Sequence, residues 1–168
     1  MKKLSLTISI CVFFLICSNR IQAQATQTKL NQIELVKQFI GTWKNETKKD
    51  TTTIVEITCF RNGALELNYK NFTEEKVLSE RKTLWGYDKE SDKFILGSIW
   101  DNSWNMNLNV LYFTSQSTCD YFPFKYISNP EQATSKTVYE FKSPDLFTAT
   151  SYNKNTPVGP VITYSRMK

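Results

Sequence analysis

Apolar residues between positions 30 and 40 recur with a helical period. Ile33, Val36 and Ile40 share one face of such a helix, with Leu35 and Phe39 beside it. Asn31 is a good N-cap, and Glu34 follows three residues on, as in a capping box. Leu30 and Leu35 occupy the staple positions around that cap. Gly41 can take the left-handed conformation that ends a helix. The pattern predicts one short amphipathic helix ahead of Gly41-Thr42-Trp43. From there the period changes to two. Val55, Ile57 and Cys59 share a face. Leu65, Leu67 and Tyr69 alternate with Glu66, Asn68 and Lys70. Thr83, Trp85 and Tyr87 alternate with Lys82, Leu84 and Gly86, and Arg81 has the parity of the first set. Phe94, Leu96 and Trp100 lie on one face, and residues 106–110 alternate strictly. Further strands are expected at residues 121–126, 137–141, 147–152 and 161–166. Asn62-Gly63 is a tight-hairpin pair, residues 89–92 form a polar turn, and Pro130, Pro144 and Pro157 fall between strands.

That makes nine or ten strands with short connections and no second amphipathic helix to feed parallel crossovers. An antiparallel meander is favoured over a βαβ fold. A meander this long exposes two sheet edges unless it closes. The expected fold is therefore all-β: an antiparallel up-and-down β-barrel preceded by one short α-helix, with a sandwich as the alternative. No repeat, linker or low-complexity tract divides it, so residues 26–168 read as one domain.

The first 25 residues have a different pattern. Lys2 and Lys3 precede an apolar run over residues 4–17, and Ala23-x-Ala25 is a small-residue cleavage signature. The run is short for a membrane span, which needs ~20 residues. Residues 1–25 read as a cleaved signal peptide, making the protein periplasmic or secreted. Ile16, directly before Cys17, is too bulky for a lipoprotein cleavage site and argues against a lipid anchor on that cysteine. Cleavage leaves Cys59 and Cys119. Export makes a disulfide between them possible, and two separate buried thiols are the alternative.

Composition narrows the chemistry. The chain of 168 residues holds 21 Lys+Arg, 16 Asp+Glu and no histidine, a formal net charge of +5. Removing Lys2, Lys3 and Arg20 leaves 18 against 16, or +2. This nearly neutral chain has no basic cluster of the kind nucleic-acid binding needs. Without histidine there is no Ser-His-Asp triad, no Cys-His pair and no imidazole metal ligand. No phosphate loop, dinucleotide motif, nucleophile elbow or zinc spacing occurs, so no cofactor or metal is expected.

A short helix leading into Gly41-x-Trp43 and then an antiparallel meander resembles the lipocalin-like (calycin) pattern. The resemblance covers residues 26–168 as topology and rests on three specific residues. It implies that Trp43 plugs the closed end of the barrel and that Arg166, near the last strand, lies across its ring. The chain also resembles small exported lipocalin-like proteins of Gram-negative bacteria, many of which have no assigned function.

Candidate ligand contacts follow from aromatic content and parity. Trp85, Tyr87, Trp100, Trp104 and Tyr112 would line or rim the barrel and stack on an apolar or amphipathic ligand. Arg81, if inward, would grip a ligand carboxylate with its planar fork. Trp100-Asp101-Asn102-Ser103-Trp104 places polar and aromatic groups on one loop. Gly41, Trp43, Arg166, Cys59 and Cys119 are expected to be structural. The leading functional reading is an exported binding protein that holds a small molecule in its cup. One alternative is an envelope-associated interaction protein with a filled barrel. The other is an enzyme working through a carboxylate pair such as glycoside hydrolysis uses.

Overall fold

The computed structural model describes residues 29–48, 50–61, 63–74 and 76–168. The expected signal peptide and Asn62 lie outside the described residues. Helix α1, Gln32–Val36, continues into a 3-10 turn at Lys37–Phe39. Ten strands follow: β1 Gly41–Lys48, β2 Thr51–Phe60, β3 Ala64–Phe72, β4 Val77–Asp88 and β5 Lys93–Trp100. Then come β6 Asn107–Phe113, β7 Thr118–Pro123, β8 Ser135–Ser143, β9 Leu146–Asn153 and β10 Thr156–Arg166. Each strand pairs antiparallel with the next, and β10 returns to β1 to close the barrel. The expected all-β up-and-down barrel with one short leading helix is the fold found. Closure leaves no sheet edge to recruit another chain. It rests on Trp43↔Arg166 and Lys44↔Ser165, with the Met167 amide donating to the Thr42 carbonyl at 2.8 Å. The buried Asn45 adds a hydrogen bond, donating Nδ2–H to the Thr163 carbonyl at 2.6 Å.

The helix is held by its cap and one buried amide. The Asn31 side chain accepts from the Glu34 amide at 3.2 Å, as the cap reading expects. Glu34 itself pairs with Lys37 Nζ at 2.7 Å. Gln32 is buried and bonds Phe113 twice, donating Nε2–H to its carbonyl at 3.0 Å and accepting its amide at 2.6 Å. It mimics the exchange of bonds between paired strands and fastens α1 across one end of the barrel. Gln38 reinforces this by donating to the Gln116 carbonyl in the β6–β7 turn.

Phe39 then drops into the sealed end. Its ring meets Trp85, Tyr139 and Phe147 edge-on at 5.5, 5.7 and 5.6 Å, and Phe141 at 4.8 Å. Trp43 is fully buried behind it, edge-on to Phe147 at 4.7 Å, and its indole N–H donates to the Phe39 carbonyl at 2.7 Å. The Arg166 guanidinium lies 4.1 Å over the Trp43 ring. It donates to the carbonyls of Pro144 at 3.0 Å, Gln38 at 3.1 Å and Ile40. One cation thus ties the helix, the β8–β9 turn and the closing strand.

Gly41 does not end the helix in a left-handed turn. The chain already turns extended at Ile40 (φ −61°, ψ 128°), and Gly41 is the first residue of β1, at φ +134°. A Cβ there would collide with Arg166 Nη1. Glycine is needed both for that dihedral and to let the guanidinium pass.

Candidate functional site

Strand parity sets which side chains enter the lumen. On β4, Arg81, Thr83 and Trp85 point in, and on β5 Leu96 and Ser98 do. Inward positions rise ~6.6 Å per two residues, so Trp85 and Arg81 are spaced ~13 Å along their strand. Trp85 packs against Phe39 at the sealed end, and Arg81 lies towards the loop that follows β5. Between them is a chamber of about 60 Å³. A water's share of liquid volume is ~30 Å³, so the chamber is small.

Phe39, Trp85, Leu96, Leu111 and Phe147 make its apolar end, and Val55, Ile57 and Leu67 one wall. Four tyrosines, Tyr69, Tyr121, Tyr139 and Tyr164, complete it. The hydroxyls of Thr83 and Ser98 are buried and bond one another at 2.9 Å. Burial raises the Tyr121 phenol, raises Tyr139 further and pushes Tyr164 up to about 12. In all three the positive charge of Arg81 acts in the opposite direction. These phenols stay protonated at neutral pH and keep both a donor and an acceptor to offer.

Arg81 is the one charged side chain among the described residues that line the chamber. Its guanidinium lies 5.1 Å over the Tyr69 ring and 5.0 Å over the Trp100 ring, and those rings meet edge-on at 5.5 Å. Its Nε is buried without a hydrogen-bond partner, and so is the indole nitrogen of Trp85. The chamber therefore presents two unused donors. No carboxylate of the described residues lines it, so no acid pair is assembled there.

The six expected ligand contacts separate into three groups. Arg81 and Trp85 line the chamber together, and Trp100 flanks Arg81. Tyr87 has lumen parity but sits beyond Trp85 at the sealed end, where its hydroxyl donates to Asp92. Trp104 is fully exposed on the β5–β6 loop. Tyr112 faces outward with Val110, against Phe122 at 5.9 Å and under Lys93 Nζ at 5.6 Å. Trp104, on its loop, and Tyr112, on the outer face of β6, thus stand outside the lumen. The cause on β6 is that Leu111 and Phe113 take the inward face. The alternation of residues 106–110 marks the outer face, where Val110 and Phe122 are buried beside the turn at Phe124–Tyr126.

Tyr69, Tyr121, Tyr139 and Tyr164 are not among the six expected contacts. Their signal was parity: Tyr69 continues the Leu65, Leu67 series, and Tyr164 shares a face with Arg166. Among the described residues Cys59 and Cys119 are separate thiols, Cys119 buried on β7 and Cys59 exposed near the end of β2. Among the described residues no group of His, Cys, Asp and Glu could hold a metal ion. No described helix is long and apolar enough to cross a membrane.

No protein-family model matches the chain, and no curated protein matches its sequence. The closed antiparallel barrel of ten strands is compatible with a calycin-like fold.

Proposed function

We propose that this is an exported, lipocalin-like small-molecule-binding protein whose barrel takes the slender end of an apolar or amphipathic ligand. The observation that supports the reading is the chamber of about 60 Å³ between the Phe39 plug and Arg81. Its binding mechanism is burial of ligand surface in a preformed apolar cup, oriented by few polar groups. Calorimetric titration with 1-hexanol tests it. The expected result is one hexanol bound per chain. Val55→Phe, which adds a ring to the chamber wall, weakens that binding at least about tenfold while the barrel stays folded, at a strain of roughly 1–3 kcal/mol. Equal binding by Val55→Phe would place the alcohol elsewhere and overturn the reading. The export part rests on the pattern of residues 1–25. It predicts that the protein recovered from its native host starts after Ala23 or Ala25, as read by intact mass. A chain still carrying Lys2 and Lys3 would remove it.

A second reading has its own observation. Leu84, Gly97 and Leu108 form one cross-strand row on the outer face. With Ile99, Met106 and Trp104 this row exposes large apolar side chains. Such a surface fits an envelope-associated interaction protein.

A further inference from the structure

The outer wall of the barrel carries an apolar face that the lumen does not explain. Phe60, Ala64, Gly86 and Ile95 form one cross-strand row from β2 to β5. Leu84, Gly97 and Leu108 form the next row, and Ile99 lies one step beyond. Trp104 and Met106 of the β5–β6 loop extend it. Trp104 is fully exposed, Met106 is 60% exposed, and Phe60, Leu84, Ile99 and Leu108 are each 45–48% exposed. At roughly 200 Å² for a fully exposed large side chain, these residues leave on the order of 700 Å² of mostly apolar surface in water. The largest such patch on an ordinary monomer is ~300–600 Å². The face also has relief. Gly86 and Gly97 leave its floor bare, and a Cβ at Gly86 would meet nothing within 4 Å. Leu84, Gly97, Ile99 and Met106 line a shallow trough there, and Trp104 stands free on the same loop as Met106.

We infer that this face is the interface of a symmetric homodimer, in which Trp104 of each copy enters the trough over Gly97 of the other. The inference rests on reading the face as an interaction surface and is independent of the binding cup. A two-fold interface brings one patch against itself, so that patch must hold both a projection and a recess. Trp104 and the trough supply them. The area suffices, because a stable interface buries ~800 Å² per partner, of which about 65% is apolar in homodimers. The charges at the β3–β4 border agree. Lys82 pairs with Glu66 at 2.9 Å and Lys70 with Glu80 at 3.0 Å. This alternation is self-complementary under a half-turn, since each lysine can meet a glutamate of the other copy. The same balance argues against an anionic lipid surface as the occupant, which calls for a surplus of Lys and Arg.

Sedimentation equilibrium of the chain beginning at residue 26 tests this, under reducing conditions that keep the exposed Cys59 from forming a covalent dimer. The wild type should be dimeric at about 50 µM, since interfaces of this size bind in the micromolar range or tighter. Trp104→Asp changes a fully exposed loop residue that the barrel does not pack against. It should raise the dimer dissociation constant at least about thirtyfold, as for an aromatic hot spot. Leu108→Lys should act in the same direction from the strand. Val161→Lys, at an exposed apolar position of β10 outside the face, should leave the dimer intact. A wild type that stays monomeric overturns the dimer, and so does a dimer indifferent to both Trp104→Asp and Leu108→Lys. Vesicles of phosphatidylcholine and phosphatidylglycerol in equal parts separate the two failures. A monomer that pellets with them through Trp104 overturns the dimer but keeps the face as an interaction surface. A monomer that stays in solution overturns both readings of the face.

Discussion

Replacing Trp43 by alanine should lower the unfolding free energy by about 3–5 kcal/mol, the range for deleting a buried large aromatic. The indole is fully buried, so the whole ring leaves a cavity at the sealed end. Three further losses follow. The edge-on contact with Phe147 at 4.7 Å disappears, and the Phe39 carbonyl loses the indole donor at 2.7 Å. Arg166, now 4.1 Å above the ring, is left over a void while its carbonyl partners hold it in place. The midpoint of thermal unfolding should fall by roughly 6–20 °C, given ~2–4 °C per kcal/mol for a chain of this size. Trp43→Phe keeps a ring without the N–H and should recover about half of the loss. Unfolding in urea followed by far-ultraviolet circular dichroism measures both variants. A cost below about 1 kcal/mol for the alanine variant would show that the plug is not what stabilises this end.

The two thiols should differ in reactivity by a factor of about a thousand or more. Cys59 is exposed and should react with an aromatic disulfide reagent at the rate of a free thiol. Cys119 is fully buried on β7, and burial, with Asp120 adding to it, holds its thiol well above the ordinary range. The thiolate is the reacting form, so this cysteine is inert through both access and protonation. Reaction at Cys119 then requires opening of the barrel, populated at about 10⁻³ or less for a protein of ordinary stability. In the chain beginning at residue 26, one thiol should titrate at once and the second only in denaturant. Absence of both under native conditions, with release on reduction, would mean that the two cysteines are joined.

The helix and barrel were legible because local signals and global closure agree. Asn31 caps at the position its side-chain chemistry favours, and the period-two runs from Leu65 to Ser98 place the lumen on the correct parity. The sequence could not indicate which face of residues 106–113 turns inward. Alternation distinguishes two faces of a strand but not which of them meets the lumen. On β6 the outer face carries the buried Val110, beside Phe122 of β7, so an apolar face does not identify the interior. That is why the outward facing of Tyr112 is not legible in the sequence. Gly41 shows a similar limit. A glycine after a helix reads as a cap, whereas here its missing Cβ makes room for a guanidinium 125 positions later in the chain. Gln32 was invisible for a related reason, since its value lies in a long-range pair of bonds to Phe113. Arg81 was legible from parity alone, but its lack of an acidic partner depends on all the strands that enclose the chamber.

The four tryptophans stand at four places that separate the competing accounts. Trp43 is in the plug, Trp85 lines the chamber, Trp100 flanks Arg81 and Trp104 is exposed on the β5–β6 loop. The most direct measurement is therefore the four indole N–H signals in a ¹H–¹⁵N spectrum during titration with 1-hexanol. A binding cup predicts that the Trp85 signal shifts most, that Trp100 follows, and that Trp43 and Trp104 hold still. Movement of Trp104 alone, or a spectrum unchanged at saturating hexanol, would contradict it.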